Sequence, residues 1–337
     1  MKRARDRVTI GDVAAEAGVS IATVSRVVNG RYGTAQDTLE RVQAVIADLG
    51  YESSLVARSL SSRRTNVIGI IVPDLEPFSA ELLKGAARAL RATGYELIVY
   101  LGGGHVGHKV GWERRYLSRL EGTLTDGTLL VTPTVVDVAH NAPVVAVDPH
   151  SGSSSLPTVG SQNLDGAILA TEYLIGLGHR RIGFIAGRPD LESARLREQG
   201  YLRALESAGI AYDPTLVRVG DYTKEAAESP ARELLEMDEP PTAIFAANDV
   251  SAIALIQVAR SLGVRVPGDL SVIGFDNVPE SALVDPPLTT IDQSIQQMGY
   301  EATKLLIGLI EHPEQDPIHL TLPTELVVRH SCRAIST

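Results

Sequence analysis

The segment VTIGDVAAEAGVSIATVSRVVNG, residues 8–30, decides how the N-terminal part of the chain folds. Thr9 is placed to cap a first helix, with Asp12 three residues later as its capping-box partner. Gly18 supplies a tight turn, where a positive φ costs nothing, and Ser20 is placed to cap a second helix. Apolar residues recur at helical spacing on the inner faces of both helices: Ile10, Val13, Ala14 and Ala17, then Val24, Val27 and Val28. The segment predicts two short helices packed together across a glycine turn.

The outer face of the second helix carries a short surface near its N-terminal end, formed by Ile21, Ala22, Ser25, Arg26 and Asn29. A protein that reads the major groove of DNA needs its contact residues at this place. Helical hairpins with a glycine turn are also common as plain packing units. The spacing therefore favours DNA binding and leaves a purely structural hairpin open.

A third helix follows and completes a small all-α domain over residues 1–52. Thr34 is predicted to cap this helix and Gly50 to end it. Its apolar stripe consists of Leu39, Val42, Ile46 and Leu49.

Charge is divided unevenly along the 337 residues: the whole chain carries −10, residues 1–65 carry +3 and the remainder carries −13. A basic end on an acidic body directs attraction for phosphate to that end. Cys332 is the single cysteine, which excludes an intrachain disulfide and favours a reducing compartment. Acidic residues interrupt the segment after MKRARDR, and no apolar run reaches membrane-spanning length. We expect a cytoplasmic protein without a membrane partner.

From Asn66 onward short apolar strands alternate with amphipathic helices. The predicted strands are Val67–Val72, Glu96–Leu101, Thr128–Val131, Val144–Val147, Arg181–Ala186, Thr242–Ala246 and Leu270–Phe275. Such alternation predicts parallel sheets covered on both faces by helices, and the number of elements exceeds one ordinary sheet. The predicted fold is therefore the all-α N-terminal domain followed by an α/β core of two doubly wound lobes.

The pattern D-V-A-x-x-A-G-V-S-x-x-T-V-S-R-V-x-N-G, from Asp12 to Gly30, resembles the helix-turn-helix headpiece of LacI-family transcriptional regulators. The resemblance implies a DNA-binding domain over residues 1–52, a hinge helix over residues 53–65 and a periplasmic-binding-protein-like core over residues 66–337. Lobe 1 would hold about residues 66–160 and 293–322, and lobe 2 about residues 161–290 and 323–337. Three crossovers would join them near Val159–Gln162, Thr290–Gln293 and Leu322–Glu325.

For double-stranded operator DNA, the resemblance implies base contacts from Ile21, Ala22, Ser25 and Arg26. The first two are apolar and suit thymine methyl groups, whereas Arg26 is the best candidate for a guanine edge. Contacts to the DNA backbone are expected from Thr9, Ser20, Thr23, Asn29 and Thr34.

The composition of the serine-rich segment Ser53–Arg64 alone predicts a flexible linker. By resemblance it is a hinge helix that pairs with its dimer mate in the minor groove, where Ala57 and Leu60 make contact and the leucine opens a base step. The family often has Pro-Asn where this chain has Ser53 and Ser54. We therefore expect hinge order to depend strongly on operator contact.

Ligands of doubly wound folds collect at the carboxyl ends of strands, where this chain has several acids and amides. For Asp74 and Asp249 we predict helix capping, and for Asp148, Asn248 and Asp276 ligand contact.

The resemblance supports the last two of these contacts and adds Arg197, Tyr222 and, more weakly, Phe78 to the effector site. An arginine between two carboxylates can bind vicinal hydroxyls, and an aromatic face suits a pyranose. Taken alone, Arg197 would be a solvated helix residue and Tyr222 a loop packing residue. Relatives often have a second aromatic residue where this chain has Ser79, so we expect room for an oligosaccharide.

Enzyme motifs are absent: the sequence has no Gly-x-Ser-x-Gly elbow, phosphate-binding loop or strand-associated Gly-x-Gly-x-x-Gly. His105 and His108 have no acidic or cysteine ligand nearby, so we expect neither a metal nor a cofactor. The prediction is a homodimeric repressor that a sugar releases from a near-palindromic operator. Two alternatives stay open: a regulator that uses a purine or another small molecule as corepressor, and a sugar-binding protein with no regulatory role.

Overall fold

The computed structural model describes residues 8–28, 33–51, 64–102, 111–120, 124–135, 140–150, 155–314 and 316–335. The helices are α1 Ile10–Ala17, α2 Ile21–Val28, α3 Gln36–Leu49, α4 Pro77–Ala89, α5 Trp112–Leu120, α6 Asn163–Gly176, α7 Glu192–Ser207, α8 Lys224–Leu235, α9 Asp249–Ser261, α10 Pro279–Leu283 and α11 Ile295–Glu311. The strands are β1 Val67–Val72, β2 Glu96–Leu101, β3 Gly127–Val131, β4 Val144–Val147, β5 Thr158–Ser161, β6 Ile182–Ala186, β7 Val217–Val219, β8 Ala243–Ala246, β9 Ser271–Ile273, β10 Thr290–Asp292, β11 His319–Leu322 and β12 Glu325–Val327.

The headpiece is built by the local signals of residues 8–28. The Thr9 backbone N–H donates to Asp12 Oδ2 at 2.7 Å, and the Asp12 N–H donates to Thr9 Oγ1 at 3.3 Å, which closes the predicted capping box. Gly18 ends α1 with φ 63°, and Ser20 Oγ accepts the Thr23 N–H at 3.1 Å at the start of α2. The buried core of the three helices is Val13, Ala14, Ala17, Val24, Val27 and Val42.

The predicted cap of α3 was wrong. The helix begins at Gln36, and Ala35 occupies the capping position without a side-chain hydrogen bond. A capping oxygen reaches the free N–H groups of the first turn only from the residue directly before the helix, and Thr34 lies one residue too early. Its hydroxyl is buried and meets no hydrogen-bond partner among the described residues.

Lobe 1 contains a parallel sheet in the order β11-β5-β4-β3-β1-β2. Strands β1, β3 and β4 are buried along their whole length because helices cover both faces. Helices α4 and α11 pack on one face at very short range. A Cβ at Gly85 would lie 1.8 Å from the Gln296 carbonyl oxygen, and one at Gly299 would lie 2.1 Å from the Leu82 oxygen. Only glycine permits this backbone approach.

Lobe 2 contains a second parallel sheet in the order β7-β6-β8-β9. Phe184 stacks on Tyr201 of α7 with ring centroids 5.0 Å apart, and Phe184 also contacts Phe245, which joins the sheet to that helix. Strands β10 and β12 pair antiparallel outside both sheets. No helix in the described part of the chain is long and apolar enough to cross a membrane.

Candidate ligand cleft and DNA-reading surface

A cleft of about 870 Å³, partly open to solvent, lies where the carboxyl ends of the strands of both sheets face each other. All six predicted effector residues line it: Phe78, Asp148, Arg197, Tyr222, Asn248 and Asp276. Its wall also contains residues that the sequence did not single out as contacts: Pro73, Asp74, Glu76, Thr132, His150, Arg188, Leu191, Ser193, Asp221, Thr223 and Gln293.

Arg197 is the centre of the cleft floor. It lies on α7 with 3% of its surface exposed, so the alternative of a solvated helix residue is excluded. Its Nε donates to Asn163 Oδ1 at 2.8 Å, Nη1 donates to the Ala247 carbonyl, and Nη2 donates to Gln293 Oε1 at 3.4 Å. The guanidinium carbon lies 3.8 Å from the Phe275 ring centroid, a cation–π contact.

Asp276 is the countercharge of Arg197. Its Oδ1 accepts Arg197 Nη1 at 3.4 Å and Gln293 Nε2 at 2.5 Å, and the residue is 6% exposed. Burial raises the pKa of Asp276 to about 7, opposed by Arg197 and reinforced by the charges of Asp148 and Glu76. Burial likewise raises the pKa of Asp148. The floor therefore holds more carboxylate than its one guanidinium neutralises.

Two capping predictions need correction. Asn248, not Asp249, caps α9: its Oδ1 accepts the Ser251 N–H at 3.0 Å, while its Nδ2 donates to the Tyr222 carbonyl at 3.1 Å. Asp249 is fully buried behind the cleft and accepts the Val278 N–H at 3.0 Å.

Asp74 does not cap a helix either, because α4 begins at Pro77 with Glu76 in the capping position. Its carboxylate accepts the N–H of Leu75 at 2.7 Å, and the residue lines the cleft. The prediction that Ser79 widens the cleft is wrong, because Ser79 is 1% exposed on the buried side of α4. Phe78 alone of that pair lines the wall.

Tyr222 is held in the cleft by backbone conformation. Asp221 and Tyr222 both have positive φ, at 56° and 64°, which is costly for side-chain-bearing residues. The ring packs against Gly187, where a Cβ would be 2.1 Å from it. Its hydroxyl is buried and completes no hydrogen bond with the described residues, and burial raises its pKa to about 12. Gly187 is a site residue that the sequence analysis missed, and its position directly after β6 was the available signal.

The mouth of the cleft is bridged between the lobes. His150 follows β4 of lobe 1, and its Nδ1 lies 3.2 Å from Asp190 Oδ2 of lobe 2. Arg195 Nη2 donates to the His150 carbonyl at 3.2 Å. Arg188 holds Asp190 with two hydrogen bonds, at 3.1 and 2.7 Å. Burial lowers the pKa of His150 to about 4, so at neutral pH the ring is uncharged and its contact with Asp190 is a hydrogen bond.

The surface of α2 has the exposure that DNA contact requires. Ile21 is 55% exposed, Ala22 and Arg26 are exposed, and Ser25 is partly buried. Among the expected backbone contacts, Thr9 and Ser20 are exposed caps, Thr23 Oγ1 lies 2.9 Å from Ser20 Oγ, and Thr34 is half-buried. Asn29, Ala57 and Leu60 lie outside the described residues.

Comparison with known proteins gives two family matches within the chain. Residues 9–54 match "Bacterial regulatory proteins, lacI family", and residues 171–332 match "Periplasmic binding protein-like domain". The repressor CytR of Escherichia coli (strain K12) is 34% identical, with 99% of each chain covered. The regulator CelR of Thermobifida fusca is 36% identical, covering 97% of this chain and 99% of that one. This chain belongs to the LacI family.

Solved structures of LacI-family proteins share the fold over nearly the whole length. The Lac repressor dimer bound to operator and the anti-inducer ONPF has a TM-score of 0.85 at 28% identity, covering 98% of this chain and 100% of that one. A CelR–cellobiose complex has a TM-score of 0.73 at 34% identity, covering 96% and 100%. This LacI-family protein is a DNA-binding transcriptional repressor, and its relatives are regulators rather than enzymes.

Proposed function

We propose that the protein is a homodimeric repressor that leaves a near-palindromic operator when a sugar binds in the cleft. The observation that carries this proposal is that Asp148, Asn248 and Asp276 line the same cleft as Arg197 and the ring of Tyr222. Carboxylate and amide oxygens accept hydrogen bonds from vicinal hydroxyls, and an aromatic face packs on the apolar side of a pyranose. A CelR relative, solved in complex with cellobiose, supports a carbohydrate as the ligand.

The proposed DNA-binding unit is residues 1–52, followed by a hinge over residues 53–65 and the effector core over residues 66–337. Each subunit supplies one α2, so a two-fold dimer presents two of them to two half-sites of opposite orientation. We assign base contacts to Ile21, Ala22, Ser25 and Arg26. Backbone contacts are assigned to Thr9, Ser20, Thr23, Asn29 and Thr34, and minor-groove contacts to Ala57 and Leu60. Cys332 is free, which fits action in the reducing cytoplasm.

The experiment that tests the proposal is fluorescence-anisotropy binding to duplexes selected from a palindromic library, repeated with neutral sugars and with purines. We expect one sugar to abolish operator binding. A purine that strengthens binding would overturn the sugar assignment, and failure to bind any selected duplex above the nonspecific level would overturn the repressor proposal. Arg26→Ala is the matched control: it should remove operator binding and leave sugar binding, measured by calorimetry, unchanged, because no residue of α2 lines the cleft.

A further inference from the structure

The charges that line the cleft are strongly unequal. Five carboxylates contribute to its described wall: Asp74, Glu76, Asp148, Asp221 and Asp276. They face two guanidinium groups, those of Arg188 and Arg197. His150 adds no charge, because burial keeps its ring neutral. Acidic side chains therefore outnumber basic ones in the wall that a ligand meets.

Both guanidinium groups already have a carboxylate partner in the protein. Arg188 donates two hydrogen bonds to Asp190, in fork geometry. Arg197 donates through all three of its nitrogens to partners within lobe 2 and the crossover at Gln293. Each guanidinium charge is therefore already paired with a carboxylate of the protein, Arg188 with Asp190 and Arg197 with Asp276, and an anionic ligand would compete with these carboxylates.

The groups that the protein leaves available call for hydrogen-bond donors. Glu76 and Asp148 line the cleft, and burial raises the pKa of both, so a hydrogen-bond donor from a ligand would stabilise their ionised forms. The Tyr222 hydroxyl, buried at the same wall, completes no hydrogen bond with the described residues. A ligand that brings hydroxyl groups would satisfy the carboxylates as a donor and the phenol as an acceptor.

We propose that the cleft selects by charge: it binds an uncharged, polyhydroxylated ligand and rejects the phosphorylated or carboxylated form of the same molecule. The inference rests on the proposed function for the identity of the ligand as a sugar. The effector is then the sugar before phosphoryl transfer or oxidation, and a reaction of either class that consumes it removes the signal. One negative charge about 5 Å from an unpaired carboxylate at an effective dielectric constant of about 20 is disfavoured on the order of 100-fold.

The test uses matched probes at pH 7.5: ribose with ribose 5-phosphate, glucose with glucose 6-phosphate and glucuronate, and cellobiose with cellobionate. Calorimetry with the full-length protein measures affinity, and operator anisotropy measures release. For any neutral sugar that binds, we expect its anionic form to bind on the order of 100-fold more weakly. Equal or tighter binding of the anionic form overturns charge selection while leaving a sugar effector in place.

Substitutions separate charge from shape. Asp148→Asn and Glu76→Gln keep the side-chain size. Each should reduce the difference in affinity between neutral and anionic forms by roughly 10- to 100-fold, the larger effect belonging to the carboxylate nearer the added charge. Glu236→Gln, an exposed residue at the end of α8 outside the cleft, should leave this difference unchanged. If neither cleft substitution changes the difference in affinity, the anionic form is excluded by its size rather than by its charge, and the proposal is overturned.

Failure of the sugar assignment would be seen separately. If no sugar binds and a purine does, the comparison of adenosine with adenosine 5′-monophosphate applies the same charge test, and preference for the monophosphate overturns it. Binding of no neutral ligand of any class overturns both proposals.

Discussion

Removal of the Arg197 guanidinium should destabilise the core by an amount that grows with pH. Arg197→Met keeps the bulk of the side chain in the cleft floor and removes its hydrogen bonds to Asn163, Ala247, Gln293 and Asp276. Below pH 7 the cost is that of buried acceptors left without a donor, about 2 kcal/mol. Above pH 7 Asp276 loses its countercharge, and the cost of breaking a buried pair reaches about 3–5 kcal/mol.

The pH dependence follows from the proton on Asp276. In the parent protein the folded-state pKa of Asp276 is about 7. The charge of Arg197 lowers this pKa, so the loss of Arg197 raises it further. At a pH between the folded-state pKa of Asp276 in the parent and that in the variant, the variant takes up a proton when it folds and the parent does not. The difference in free energy of unfolding between parent and variant therefore rises by about 1.4 kcal/mol per pH unit in this range. Urea unfolding at pH 6, 7 and 8 measures it.

The control is Arg218→Met, which removes a half-buried guanidinium paired with the exposed Glu233 at 2.8 Å. This substitution should change the free energy of unfolding far less, with no pH trend between pH 6 and 8. The double variant of Arg197→Met with Asp276→Asn should abolish the rise above pH 7. If the Arg197→Met cost is flat from pH 6 to 8, or the second substitution does not suppress its rise, the guanidinium is not the countercharge of this carboxyl and the reasoning fails.

Three further outcomes are expected. Gly187→Ala should displace the Tyr222 ring, because the added methyl would lie 2.1 Å from it, and raise the effector Kd at least about 10-fold in calorimetry with little loss of operator affinity. His150→Ala should speed effector dissociation in stopped-flow fluorescence, because it removes a hydrogen bond between the lobes; an unchanged rate would show that the bridge does not gate the cleft. In the parent protein the folded-state pKa of Asp276, about 7, lies above the unfolded value of 3.8. Its contribution to stability is therefore fully present below about pH 4 and is lost as pH rises through 7. Asp276→Asn should remove this pH-dependent loss from the free energy of unfolding measured in urea.

The sequence predicted the elements whose patterns are strong. The headpiece helices follow from caps and helical spacing, and β1, β3 and β4 follow from unbroken apolar runs in a covered sheet. Strands β5, β7 and β11 were not predicted as strands. They have three or four residues each and are half exposed, so no apolar run marks them. Only pairing with their neighbours makes them strands.

The predicted strand Leu270–Phe275 was too long for a related reason. Strand β9 ends at Ile273, and the chain then turns through Asp276, with φ 122°, to place that carboxylate in the cleft. Because Phe275 is apolar, the sequence pattern predicted that the strand continues to this residue. In the structure its ring packs against the guanidinium of Arg197 instead. Functional geometry overrides the local pattern at this point.

The cleft residues that only the structure reveals belong to loops and crossovers. Gln293 and His150 lie between elements, where no periodicity identifies an inward side chain. Gly187 has no side chain and so leaves space for the ring of Tyr222, which lies 35 positions later in the sequence. Contacts of this kind depend on long-range packing, which a linear pattern does not contain.

The placement of Gln293 links the cleft to the connections between the lobes. Its amide nitrogen donates to Asp276 at 2.5 Å, and its oxygen accepts the Ser161 hydroxyl at 2.8 Å, so one side chain ties the cleft floor to the first and second crossovers. The Asp276 N–H also donates to the Ile291 carbonyl at 2.8 Å, on β10. A ligand that changes the hydrogen bonding of Asp276 therefore acts directly on the segments that connect the lobes. Because a ligand shifts a conformational equilibrium only by its differential affinity for the two states, these shared residues are where binding energy in the cleft can alter the arrangement of the lobes.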